Sequence, residues 1–128
     1  MMEQQKRDYR VYVAGPMFSS GRVTANVHEA LKIATRLRAA GFQVFVPHLY
    51  AFWDVISPQE LAFWLEMDKH WLEACDVLLR IPGVSAGGSL EEGWATDKQI
   101  PVFHYNVSAI SCLIAACDAG DIPLRGGL

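Results

Sequence analysis

Two acids and a tyrosine carry the chemistry that this sequence can perform. Residues 75–95, CDVLLRIPGVSAGGSLEEGWA, read as an apolar strand over 76–81, a turn-forming loop over 82–89 and a helix entered through Glu91 and Glu92. A loop that leaves the carboxyl end of a strand can turn its amides and the positive end of the next helix toward an anion or a sugar. Acids in the first turn of that helix are held ionised by its dipole, as a carboxylate nucleophile requires. The plain structural alternative is that both acids only help the helix to start. Asp68, eight residues before the strand, is the candidate acid or else a helix cap. Tyr12 can donate its hydroxyl to a carboxylate across the sheet, or else belongs to the core. Gly15, Pro16 and Met17 after the first strand, and Ser85, Gly87, Gly88 and Ser89 in the second loop, are the candidate ligand contacts. The glycines could equally serve turn geometry alone. His48, directly after Pro47, is a further candidate contact.

These residues need a scaffold. Residues 10–14 (RVYVA) form a first strand stopped by Gly15-Pro16. Val27, Ala30, Leu31, Ala34 and Leu37 recur at helical spacing, and Gly41 ends that helix. A second strand covers 42–46. HLYAFWDVI is then an aromatic-rich loop. Ser57-Pro58-Gln59-Glu60 is a capping signal for a helix reaching Ala74, with a break at Asp68 allowed. After the third strand come a helix from Ser89 to about Gln99, a fourth strand over 100–105 and an apolar helix over 107–119 ended by Gly120. Residues 1–9 are expected to fray, and DIPLRGGL is expected to be loose. Alternating strands and helices call for a flavodoxin-like, doubly wound α/β/α fold, with a parallel sheet of four to five strands in the order 2-1-3-4. The ligand crevice then lies between the ends of strands one and three.

The 128 residues are expected to form one domain, residues 1–128, burying roughly two-thirds of the unfolded surface. A net charge of −3 without a basic face argues against a nucleic-acid polymer as partner and for a small ligand. Cys75, Cys112 and Cys117 are odd in number and read as buried thiols of a cytoplasmic protein. With this polar start no signal peptide is expected, and the apolar run 107–117 is interrupted by serines and too short to span a membrane. His28 and His104 lack ligand spacing, so no metal is expected, and no cofactor motif is present.

VYVAGPM, DKHWLEACDVLL and SAGGSLEEGWA, in this order, resemble the nucleoside 2-deoxyribosyltransferases and the related nucleotide N-glycosidases that hydrolyse nucleoside 5′-monophosphates. The similarity spans residues 10–105. It implies that Glu91 is the nucleophile, being the acid followed by one residue, Gly93 and Ala95, while Glu92 takes the intervening position. Asp68 would protonate or position the leaving base, and Tyr12 would match the first-strand tyrosine. Ser85 and Gly87 fall where the hydrolases hold a phosphate, and His48 falls on the base side. The implied reaction cleaves an N-glycosidic bond through a glycosyl-glutamate, which passes to water or to a second base. The loop PMFSSGR departs from the glycine- and arginine-rich form of the hydrolases, leaving Ser19, Ser20 and Arg22 as its phosphate-facing groups. Asn106 could play the part of the residue that a neighbouring subunit contributes, but the tail does not match and it is not carried over. A homodimer or higher homo-oligomer is implied, with Tyr50 to Trp53, Phe63 and Trp64 as its apolar face or else as core. The alternative function is a non-catalytic nucleotide-binding sensor. A purely structural domain fits the small-residue loop poorly.

Overall fold

The computed structural model describes residues 7–18 and 21–125. Strand β1 (Arg10–Ala14) is followed by α1 (Val23–Ala39), β2 (Gln43–Phe45), a single 3-10 turn (Pro47–Leu49), α2 (Tyr50–Ile56) and α3 (Leu61–Glu73). Then come β3 (Val77–Arg80), α4 (Ala86–Asp97), β4 (Val102–His104) and α5 (Ala109–Asp118). The four strands pair in parallel in the order β2-β1-β3-β4, as the alternation of apolar strands and amphipathic helices requires. Tyr12 pairs with Phe45 on one side and Leu78 on the other.

Side-chain alternation along β1 divides the core into two layers. Val11 and Val13 face α1 and α5, packing with Ile33, Leu37, Leu113 and Leu79. Tyr12 and Ala14 face the opposite layer, with Leu72 of α3, Leu78 of β3 and Ala95 of α4. The central strand thus sends the fully buried Tyr12 into the layer that holds α3 and α4.

Local signals were overridden in several places. HLYAFWDVI is helical rather than a loop, because Tyr50 and Trp64 pack together with ring centroids 5.1 Å apart and the helix of Tyr50 brings Trp53 onto the same ring. Ser57 ends α2 and does not cap α3, whose N-cap is Glu60. Asp54 Oδ1 accepts from the Gln59 amide at 3.0 Å and from Trp64 Nε1 at 2.8 Å, which fixes the turn between the two helices. Helix α3 runs unbroken through Asp68. Helix α4 starts earlier than Ser89: Ser85 is its N-cap, and the Gly88 amide donates to Ser85 Oγ at 3.0 Å.

The described residues toward either end are better anchored than their composition implies. Arg7 donates its amide to Gly41 O at 2.8 Å, and the Tyr9 hydroxyl donates to Ile122 O at 2.6 Å. Ile122 is buried. Asp76 joins three stretches: its Oδ2 accepts from the Arg10 amide at 2.7 Å and its Oδ1 from the Arg125 amide at 2.9 Å. Arg7 and Tyr9 therefore do not fray, and residues 121–125 are not loose; residues 1–6 and 126–128 lie outside the described residues. Cys75 and Cys117 are buried, whereas Cys112 faces solvent on α5 and departs from the expectation of a buried thiol. Among the described residues no helix is long and apolar enough to cross a membrane.

Candidate active site

The strand order reverses between the parallel neighbours β1 and β3, and the loops leaving their carboxyl ends lie against each other there. A Cβ on Gly15 would stand 2.7 Å from Ile81 Cβ, and one on Gly83 would stand 2.8 Å from Pro16 Cγ. Gly83 also has φ +126, which a side chain would strain. The two loops can approach this closely only because neither glycine carries a side chain.

A cavity of about 180 Å³ opens above this junction. Gly15, Met17, His48, Asp68, Ser85, Gly87, Gly88 and Glu91 all border it, so most of the residues singled out in the sequence meet in one place. Pro16 and Ser89 do not. Pro16 is turned against Gly83, and Ser89 is exposed on the outer side of α4. Tyr12 lies beneath the cavity, fully buried. Ser19 and Ser20 lie outside the described residues. The remaining wall comes from Phe18, Pro47, Leu61, Trp64, Leu65 and Ala86, which sequence reasoning did not assign to the site. Trp64 and Leu65 could have been found from their positions one turn before Asp68 on the same helix.

Each acid is placed by an apolar helical stripe. Trp64, Asp68 and Leu72 recur at four-residue steps on the buried face of α3. Gly88, Glu91 and Ala95 do the same, at three and four, on α4. Because α4 starts at Ala86, no acid lies in its first turn, and Glu91 falls in the second. This corrects the expectation of a carboxylate ionised by the helix dipole.

The electrostatics follow from that burial. The Tyr12 hydroxyl donates a hydrogen bond to Glu91 Oε2. Burial drives the Glu91 pKa up, the neighbouring Asp68 raises it further, and the Tyr12 hydrogen bond and Arg80 act in the opposite direction. Asp68 is raised as well, chiefly by burial, while contacts with Glu91 and Tyr12 lower it. Two carboxyl groups this close, out of water, share protons rather than ionising independently. Burial and then the Glu91 charge push the Tyr12 phenol well above its usual range, so it remains a donor.

Two polar side chains at this cavity keep unpartnered atoms. Neither ring nitrogen of His48 makes a hydrogen bond, although the ring lies near the Gly15 and Pro16 backbone. Burial lowers its pKa to about 4, so the imidazole is neutral at physiological pH. Asp68 Oδ1 is likewise buried without a partner. Unmet hydrogen-bonding capacity at a cavity wall is what a polar ligand would satisfy. Among the described residues no group of three His, Cys, Asp or Glu side chains is arranged to hold a metal ion.

Fold and cavity together define a doubly wound α/β protein with a buried pair of carboxyl groups beside the cavity at its strand ends. Its architecture matches a solved 2-deoxyribosyltransferase from the psychrotolerant bacterium Bacillus psychrosaccharolyticus, with a TM-score of 0.52 and 21% identity over 74% of this chain and 70% of that one. It also matches a conserved protein from Enterococcus faecalis V583, with a TM-score of 0.54 and 22% identity over 91% and 79% of the two chains. Comparison with protein-family models and with curated proteins finds no match.

Proposed function

We propose that the protein cleaves the N-glycosidic bond of a nucleoside or nucleoside 5′-monophosphate through a covalent intermediate on Glu91. The observation that carries this reading is the buried cluster of Tyr12, Glu91 and Asp68 at the floor and wall of one cavity. The shared fold of the 2-deoxyribosyltransferase supports it.

In the working protonation state Glu91 is ionised and Asp68 carries the proton. Donation from Tyr12 favours the charge on Glu91, since a hydrogen bond to the ionised form stabilises that form. The Glu91 carboxylate attacks the anomeric carbon as the bond to the base nitrogen breaks. The electron pair leaves with the base, which takes the Asp68 proton. Asp68, now ionised, accepts a proton from water or from an incoming base, which attacks the anomeric carbon, and the glycosyl ester returns its electron pair to Glu91. Two displacements retain configuration. Gly15, Met17, Ser85, Gly87 and Gly88 would contact the sugar and any 5′-phosphate, and His48 would contact the base. Exposed apolar side chains on and beside α2, including Phe52, Val55, Ile56 and Leu61, supply a face for self-association, which light scattering would detect.

A non-catalytic nucleotide-binding module is the second reading. It is favoured by the same burial that keeps protons on the acid pair, because a protonated Glu91 does not attack. Base release from a panel of ribo- and deoxyribonucleosides and their 5′-monophosphates, with and without an acceptor base, separates the two. Release by the wild type that vanishes in Glu91→Gln supports the glycosyl-enzyme. Nucleotide binding without release supports the binding module, and release undiminished in Glu91→Gln rejects Glu91 as nucleophile.

A further inference from the structure

Arg80, the last residue of β3, is buried and directed beneath α4. A guanidinium taken out of water has to recover its hydration from fixed partners. Here Nη1 donates to Ile81 O, and Nη2 donates to Gly83 O at 3.0 Å. Nε lies 3.4 Å from Glu92 Oε2, and the other oxygen of Glu92 lies 3.2 Å from His104 Nε2. The guanidinium also fills the space where a Gly88 side chain would be: a Cβ there would lie 2.8 Å from Arg80 Cζ. One planar cation therefore fixes the loop that leaves β3, the backbone of α4 one turn before Glu91, and the acid next to Glu91. A lysine could not make these contacts together, because its ammonium is not a planar fork.

We propose that Arg80 is a positioning residue for Glu91: it locks the 81–83 loop and the start of α4 so that the Glu91 carboxyl rests on Tyr12, and it provides the cation that balances that carboxylate. The inference rests on the reading of Glu91 as an ionised nucleophile. The groups that bear on Glu91 come from several elements: Tyr12 from β1, Asp68 from α3 and Arg80 from β3. Tyr50 of α2 acts on Tyr12 and is itself raised by Asp68, and His48 shares the cavity. Glu92 and His104 act through Arg80. Among these groups Arg80 is the fixed positive charge, and its effect on Glu91 is to lower the pKa.

The test is carboxyl-carbon NMR titration of glutamate-labelled protein, with Glu91 assigned by its disappearance in Glu91→Gln. Arg80→Met is expected to move the Glu91 midpoint up, because Arg80 acts to lower it. Arg80→Lys is expected to restore the midpoint while kcat for base release stays below the wild-type value at unchanged KM. A folded Arg80→Met protein with an unmoved midpoint overturns the proposal, as does a shift that Arg80→Lys leaves uncorrected. If Arg80→Met does not fold, Gly88→Ala decides: its Cβ displaces the guanidinium from beneath α4 without removing a charge, so the Glu91 midpoint is expected to rise, and an unmoved or lowered midpoint overturns the proposal. The titration needs no turnover. A wild type that releases no base would therefore reject the proposed reaction while leaving the effect of Arg80 on Glu91 measurable.

Discussion

The hydroxyl of Tyr12 on β1 donates to Glu91 Oε2 on α4, joining two side chains 79 residues apart at the floor of the cavity. The bond orients the carboxyl group and stabilises its charged form, so it acts on geometry and ionisation together. Tyr12→Phe leaves the ring and its packing against Phe45 in place. Its expected effect is a roughly 10- to 100-fold loss of kcat, corresponding to the approximately 1.5–3 kcal/mol of a hydrogen bond to a charged group. Steady-state base release checks this, and a Tyr12→Phe enzyme of wild-type kcat would remove the phenol from the mechanism.

The acid pair makes stability depend on pH in a direction opposite to that of ordinary carboxylates. Asp68 and Glu91 both have folded-state pKa values above those of the unfolded chain. The folded state therefore binds the extra protons. The stability they contribute is complete below the ordinary carboxylate range near pH 4 and is lost as pH rises through neutrality. Asp68→Asn and Glu91→Gln are each expected to be more stable than the wild type at pH 8, by roughly 1–3 kcal/mol. Thermal melts from pH 5 to pH 8 read this directly, and a wild-type advantage at pH 8 would contradict it.

His48 works in the other direction. Its folded-state pKa is lowered from 6.5 to about 4, so the unfolded chain takes up the proton first. Stability from the neutral imidazole is present above about pH 6.5 and is lost as pH falls toward 4. Relative to the wild type, His48→Gln is expected to recover about 2–3 kcal/mol on going from pH 7.5 to pH 4.5. Urea unfolding at the two pH values measures it, and an equal acid sensitivity in both proteins would exclude His48 as its source.

Two glycines of α4 give a contrast within one helix. At Gly88 a Cβ would meet Arg80 Cζ at 2.8 Å, whereas at Gly93 nothing lies within 4 Å. Gly88→Ala is expected to cost about 1–3 kcal/mol through displacement of the guanidinium. Gly93→Ala is expected to gain about 0.5–1 kcal/mol, since alanine restricts the unfolded chain and favours the helix. Denaturant midpoints of the two variants settle the pair, and equal effects would mean that Arg80 yields freely.

Much of the fold was legible because strands and helices alternate with clear apolar periods. The position of Glu91 could be read from Gly88 and Ala95 on the same helical face, and that of Asp68 from Trp64 and Leu72. Other features depend on tertiary contacts. Ser57-Pro58-Gln59-Glu60 has the pattern of a cap, but Asp54 takes the Gln59 amide, so Ser57 ends one helix rather than starting the next. Ser85 and Ser89 are equivalent as local signals for the start of α4. Arg80 packed under Gly88 and Leu65 against Gly87 stabilise the earlier one despite two glycines. Arg80 in the sequence is only a charge at the end of an apolar run, and its role depends on being buried. Likewise, nothing local distinguishes His48 from a solvated histidine.

Asp76 ties the beginning of β1 to residue 125 through its two oxygens, while β1 carries Tyr12 two residues further on. Residues 119–125 therefore are not expected to have an independent melting event. Releasing them frees one oxygen of a carboxylate that also anchors the central strand, and weakens the strand on which the cavity floor depends. Hydrogen exchange at the Arg125 amide is then expected to follow the same opening reaction as the amides of β1, so that the amino end of the sheet and its cavity end protect or expose their backbone as one cooperative unit.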